Sequence, residues 1–261
     1  MRHHSNTYHK AVVYTIAGVM LLPILATLIY SLSSRWGATI LPDGLTLDWY
    51  MRLLTDERFL AAFGRSLMIC LAALALSVGL ILPAMFVVFY YFPKLDKLMN
   101  VLILLPFAVP PVVSSVGLLQ LYADSTIPLV GTPWILIGTY FTIALPFMYR
   151  AIANSFAAIN LHDLMDAAHL LGASTRQAFF LIVIPNLKKG LLASLFLSFS
   201  FLLGEFVFAN ILVGTRFETL QIYLYNMRQT SGHFTSALVM TYFLFIFLFT
   251  WLASRFSKPS R

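Results

Sequence analysis

The sequence predicts an all-α polytopic membrane protein with six transmembrane helices and both termini on the cytoplasmic side. Three observations carry that reading. Hydrophobic residues make up 60% of the 261 residues and charged ones 10%, against about 45–50% and about 25% in soluble domains. The apolar residues gather into runs near the roughly 20 residues that a spanning helix needs. The basic residues fall in the connections between runs and sort unequally between the two sides, as orientation in a bilayer requires. The same figures exclude a disordered chain and leave little length for a soluble catalytic domain. The net charge of +7 is accounted for by this loop bias, so membrane lipid, and no nucleic acid, is the expected surrounding.

The expected spans are residues 11–32, 66–91, 99–122, 132–152, 187–213 and 235–256 of a single transmembrane domain covering 1–261. The start, Met1-Arg2-His3-His4 through Lys10, imitates a signal peptide. The run that follows is too long for such a segment and has no small-residue cleavage site after it, so it reads as a retained first span. The histidines ahead of it read as a polar tail rather than a metal site. The even-numbered connections and both termini hold eleven basic residues: Arg2, Lys10, Lys94, Lys97, Arg150, Arg176, Lys188, Lys189, Arg255, Lys258 and Arg261. The other side holds six: Arg35, Arg52, Arg58, Arg65, Arg216 and Arg228. The richer side is the cytoplasmic one. Cys70 is the one cysteine and lies inside an apolar run, where it serves as a small hydrophobe.

Two connections exceed a turn. The outer one, residues 33–65, carries the turn signal Pro42-Asp43-Gly44. The inner one, residues 153–186, contains Asn160-Leu161-His162-Asp163-Leu164-Met165-Asp166-Ala167-Ala168-His169-Leu170-Leu171-Gly172. Leu161, Leu164, Met165, Ala168 and Leu171 follow helical spacing and form one apolar stripe. Asn160 is placed to cap that helix, with Asp163 at the third position near the positive end of its dipole. A second short helix is expected from about Ser174, with Pro185 ending it before the fifth span. Such a helix either lies at the lipid interface or docks into a groove of a cytoplasmic partner.

The residues of this loop bear on that choice. Asp166-Ala167-Ala168, three residues, Gly172, nine residues, Ile182, one residue and Ile184-Pro185 resembles the loop of ABC importer permeases. The pattern there is Glu-Ala-Ala, three residues, Gly, nine residues, Ile, one residue, Leu-Pro. The spacing matches throughout, and the two departures, Asp166 for Glu and Ile184 for Leu, keep the chemical type. The resemblance, to the type I importers, implies that Asp166, Ala167, Ala168, Gly172, Ile182 and Pro185 form a coupling helix seated on an ATP-binding subunit. It further implies an ATPase dimer that carries ATP and magnesium, a second permease subunit (a paralogue or an identical copy), and an extracytoplasmic solute-binding protein. No cofactor is expected in this chain. Each position also has a physical reason: the alanines permit close approach, Gly172 permits a sharp turn, and Asp166 offers a charge to a basic partner.

Motifs for chemistry are absent from the sequence. There is no phosphate-cradling Gly-x-x-x-x-Gly-Lys-Ser/Thr loop, so ATP hydrolysis is assigned to another subunit and the chain is not expected to be an enzyme. An ion-coupled secondary transporter or channel without ATPases is the alternative. It would need no docking loop and would carry more ionisable groups at depth. A membrane scaffold that transports nothing is a third class.

Few polar groups lie at membrane depth. Glu205 is the acidic residue deep in a span, about 7–8 Å to the outer side of a midpoint near Ser200 at 1.5 Å per residue. A carboxylate there faces protein or water, as a pathway residue or as a packing group bonded to a neighbouring span. Asn210 is offset from it by about 140° around the helix. Pro106, Pro110 and Pro111 interrupt the third span, and broken backbone is tolerated there only against protein or water. Pro110, Pro111 and Ser114 are therefore candidates for the translocation pathway, or for a bent packing helix. Similar proline-rich segments are familiar in permeases for polyamines, ferric iron, thiamine, sulfate and aminophosphonates, and Gly44-Leu45-Thr46-Leu47-Asp48-Trp49-Tyr50 resembles the polyamine and ferric-iron branch. The resemblance thus implies a polyamine or similar small polar or charged solute, with ferric iron and aminophosphonate next.

Overall fold

The computed structural model of the chain describes residues 2–123 and 126–257; Lys258 and Arg261, counted above for sidedness, lie outside them. Among the described residues the fold is all-α, and the one extended pairing is an isolated bridge between Ser33 and Leu45. The helices run α1 Arg2–Leu32, α2 Asp48–Thr55, α3 Glu57–Tyr91, α4 Asp96–Ala108, α5 Pro111–Ala123 and α6 Pro133–Ala158. They continue with α7 Leu161–Leu170, α8 Thr175–Ala178, α9 Ile184–Leu203, α10 Val207–Leu212, α11 Leu220–Met227 and α12 Gly232–Ser257. Among the described residues five stretches are long and apolar enough to cross a membrane alone, and a bent pair, counted as one span, makes a sixth.

Two expected spans are divided. The run at 99–122 is two helices, α4 and α5, bent by 89° at Val109-Pro110. Pro110 and Pro111 bring no N–H to the ladder, so the helix cannot continue through them. The run at 187–213 is α9 followed by α10, with Gly204-Glu205-Phe206 between them. Pro185 does not end a helix, contrary to expectation. A π-helical turn over Phe179–Val183 carries α8 into α9, with the N–H of Ile184 bonded to the carbonyl of Phe179. The wider turn shifts the ladder by one residue just ahead of the proline, and Pro185 then occupies the first turn of α9, where its missing N–H is harmless. Pro23, Pro83 and Pro146 are carried inside α1, α3 and α6.

By internal contacts the chain forms two compact units, residues 1–60 with 224–245, and residues 61–223 with 246–261. In the first, the connection that follows α1 folds back on the end of that helix. The N–H of Thr46 bonds the carbonyl of Leu32 at 2.7 Å, and that of Ser34 bonds Gly44 at 2.9 Å. The Trp49 indole donates to the Ser33 carbonyl at 2.9 Å. His233, at the start of α12, stacks on Tyr30 at 4.1 Å and on Trp49 at 5.7 Å. Its Nδ1 donates to the Tyr30 carbonyl at 2.9 Å.

In the second unit α6 and α9 form the most extensive helix pair. They meet closely at Gly190, where an added Cβ would stand 1.8 Å from Ser155 Oγ and 3.1 Å from Ser155 Cβ. A hydrogen there lets two helix backbones meet, as small residues do in membrane bundles. Burial of Ile135, Leu136, Ala144, Met148 and Ile152 along α6 shows that this helix is enclosed on its apolar face. The Tyr149 hydroxyl ties α6 to α4 by donating to the carbonyl of Asp96 at 3.0 Å and to its carboxylate.

Candidate functional site

The two helix breaks meet across one cavity of about 820 Å³. One wall is the bend between α4 and α5, with Pro106, Phe107, Pro111 and Ser114; the other is the gap between α9 and α10, with Ser200, Phe201 and Glu205. Thr139 and Thr142 of α6 also line it, with apolar residues between. The packing of α10 against α5 and α6 brings the walls together. Sequence adjacency could not have done so, since some ninety residues separate the breaks.

Glu205 is half-buried here and its carboxylate is already engaged. One oxygen accepts the N–H of Phe208 at 2.9 Å and the other accepts that of Ala209 at 3.1 Å. These are donors of the first turn of α10, which have no partners within the helix. The carboxylate satisfies them and places its charge at the positive end of that short helix. The Tyr140 hydroxyl of α6 reaches the Glu205 backbone carbonyl at 3.5 Å. From behind, the Gln221 amide of α11 donates to the Leu203 carbonyl at 3.3 Å. The break is thus a held structure rather than a frayed end, and Glu205 both closes it and lines the cavity.

The other pathway candidates separate. Pro111 and Ser114 line the cavity; Pro110 forms the bend beside it without lining it; Asn210 is exposed and does not line it, and its expected helical offset from Glu205 does not apply because Glu205 lies in the break before α10. Thr142, Ser200, Phe107 and Phe201 also line it and were not singled out from the sequence. Hydroxyls are scattered through every apolar run here and phenylalanines through most of them, and periodicity alone does not mark these four.

The loop over residues 153–186 forms a small helical knob. Leu161, Met165 and Ala168 of α7 are buried, while Asp166, Ala167 and Leu170 stand on the open face. Asn160 occupies the capping position of α7 but makes no capping bond; its amide donates to Asp163 instead. Leu171 leaves the expected apolar stripe and is 88% exposed, because α7 ends one residue earlier. The end is a paired-bond cap: Gly172 N–H bonds the His169 carbonyl at 2.9 Å and Ala173 N–H bonds that of Ala168 at 3.0 Å. Gly172 takes φ +82, a conformation costly for residues with a Cβ. Ser174 then caps α8 by accepting from the N–H of Gln177, whose side chain returns a bond to the Ser174 N–H. At the base of the knob, Tyr90 of α3 lies 5.3 Å from His162, and Phe86 lies 4.7 Å from Phe179. Asp166 has no hydrogen bond or ion pair among the described residues. Ile182 is half-buried in the π-helical turn and Pro185 is exposed at the start of α9.

A bundle of apolar helices, a cavity between two broken spans and a helical knob between two spans define a membrane transport subunit. Residues 75–259 match the family model described as "Binding-protein-dependent transport system inner membrane component". The chain belongs to that family: it is a permease subunit of an ABC importer, a multi-pass inner-membrane protein and not itself an enzyme.

Relatives agree. The putative 2-aminoethylphosphonate transport system permease protein PhnV of Salmonella typhi is 29% identical over 185 residues, 70% of this chain and 69% of that one. The putrescine transport system permease protein PotI of Escherichia coli (strain K12) is 27% identical over 215 residues, 78% of this chain and 74% of that one. In fold, the chain matches one from the crystal structure of a bacterial ABC transporter involved in the import of the acidic polysaccharide alginate. The TM-score is 0.74 at 15% identity, covering 97% of this chain and 96% of that one.

Proposed function

We propose that this chain forms one half of a solute pathway and that α7 is the helix through which a separate ATPase drives it. The observation that carries the coupling role is the division of α7 into a held face, Met165 and Ala168, and an open face, Asp166 and Ala167, with the left-handed turn at Gly172 closing the helix. Leu170 and Leu171, 89% and 88% exposed, extend the open face with apolar surface suited to a protein groove. An ATPase dimer binds ATP and magnesium and closes; the knob transmits the closure, and the spans exchange openings between the two sides. The knob and both termini are then cytoplasmic, as the basic residues indicate. The other half of the pathway is a second permease, a paralogue as in the polyamine branch. A solute-binding protein delivers cargo from outside. The solute is a polyamine or a similar small polar or charged molecule, with ferric iron and aminophosphonate the next candidates; the similarity to PotI and PhnV supports this range.

The test is a gentle purification of the tagged chain from its native membrane with identification of what accompanies it. An ATPase and a second six-span protein are expected, and the Gly172→Asp variant is expected to lose the ATPase while keeping the second permease. If no ATPase accompanies the chain and Gly172→Asp alters neither assembly nor growth, the coupling reading fails and ion-coupled transport takes its place.

A further inference from the structure

The cavity between the two broken spans has a one-sided polar lining. Its residues include no Lys, Arg, His, Asn, Gln or Trp. The hydroxyls of Thr139, Thr142 and Ser200 each donate to carbonyls of their own helix, at 3.0 Å in every case. Their protons are spent and only lone pairs remain for a guest. On the opposite wall, Pro110 and Pro111 supply no N–H to the carbonyls of Pro106 and Phe107, four residues earlier, so these are left as acceptors. The N–H groups of Phe208 and Ala209 are covered by Glu205. Ser114 retains the one side-chain hydroxyl of the lining without a hydrogen bond among the described residues. The single charged group of the lining is the Glu205 carboxylate.

We propose that this cavity is itself a charge filter: it accepts solutes that carry positive charge on hydrogen-bond donors, protonated amines above all, and rejects anions, whatever a binding protein delivers to it. This rests on reading the cavity as part of the translocation pathway. A carboxylate and a set of acceptors in a poorly screened site stabilise an ammonium group and leave its N–H donors satisfied. A phosphonate or uronate carboxylate would meet like charge and almost no donors. Glu205 serves because the field of its charge reaches the cavity although its oxygens are held by α10.

The test measures charge selection without presupposing the solute. In the assembled transporter with Cys70→Ala, Ser114→Cys is modified by 2-aminoethyl methanethiosulfonate and, separately, by its 2-sulfonatoethyl counterpart. Each rate is divided by that reagent's rate with free cysteine. The cation is expected to react at least roughly tenfold faster, a conservative floor, because one unit charge within about 8 Å at an effective permittivity near 20 changes each reagent's rate by roughly thirtyfold, in opposite directions for the two. Glu205→Gln is expected to bring the ratio within about threefold of unity and Glu205→Asp to retain it; Thr142→Cys provides a second reporter. Equal rates with Glu205 present overturn the charge filter and leave the pathway standing. A ratio unchanged in Glu205→Gln overturns the role of Glu205 in it. If neither reagent reacts at either position, with or without ATP, the cavity is not on a water path and the pathway reading falls with it.

Discussion

Removing the Glu205 side chain strands the two amides that it serves, and the structure sets the size of the effect. Phe208 and Ala209 are 9% and 0% exposed, and the bonds at 2.9 and 3.1 Å are their side-chain-supplied partners at the start of α10. A buried donor left without a partner costs about 1–3 kcal/mol, and a lost cap about 0.5–2 kcal/mol. Glu205→Ala is therefore expected to destabilise the second unit by about 2–4 kcal/mol. Glu205→Gln keeps one accepting oxygen and turns its NH2 toward the other amide, so a loss of about 1–2 kcal/mol follows. At about 2–4 °C per kcal/mol for a chain of this size, the midpoints fall by roughly 2–8 °C for Gln and roughly 4–16 °C for Ala. Thermal unfolding of the purified complex in lipid nanodiscs reads both. Asn210→Ala is the internal control: Asn210 is exposed one turn away and its loss should leave the midpoint unchanged. An Ala variant as stable as the native protein, or a Gln variant that falls as far as Ala, would refute the capping role.

Three further outcomes follow from close approaches and special backbone. Gly172→Ala meets no atom within 4 Å of the new Cβ, so its cost is the left-handed backbone alone, about 1 kcal/mol; Gly172→Asn should cost less, and protease sensitivity of residues 170–175 orders the variants. Gly190→Ala collides with Ser155 and should destabilise by about 1–3 kcal/mol, with Ser155→Gly restoring most of the loss in the double variant; no restoration would mean that α6 and α9 do not meet there. His233→Ala removes the bond to the Tyr30 carbonyl and both ring stacks, and limited proteolysis of residues 34–47 should accelerate several-fold, whereas His233→Phe, which keeps the stacks, should show a smaller change.

What the sequence makes legible are properties of local composition. The membrane class follows from the excess of apolar residues. The knob follows from spacing, because Gly172 alone supplies the positive φ that its turn requires, and Ser174 with Gln177 spells a cap within four residues. The bend at Pro110-Pro111 is equally local, since proline withholds its donor wherever it stands. Pro185 misled for the complementary reason: a π-helical turn upstream accommodates it, and nothing in Phe179–Val183 announces that geometry.

The tertiary structure decided what Glu205 is and what surrounds it. Sequence placed a carboxylate at depth and left two readings open, packing group or pathway residue. The fold bonds it to the amides of α10 and sets it in the wall of a cavity whose far wall is the α4–α5 bend. That pairing of two breaks depends on contacts between residues about a hundred positions apart. Such contacts are selected by helix packing, to which no local pattern of residues corresponds. The sequence by itself therefore determined the class of the protein and the turn of its helical knob, while only the packed helices brought the two breaks together around one cavity.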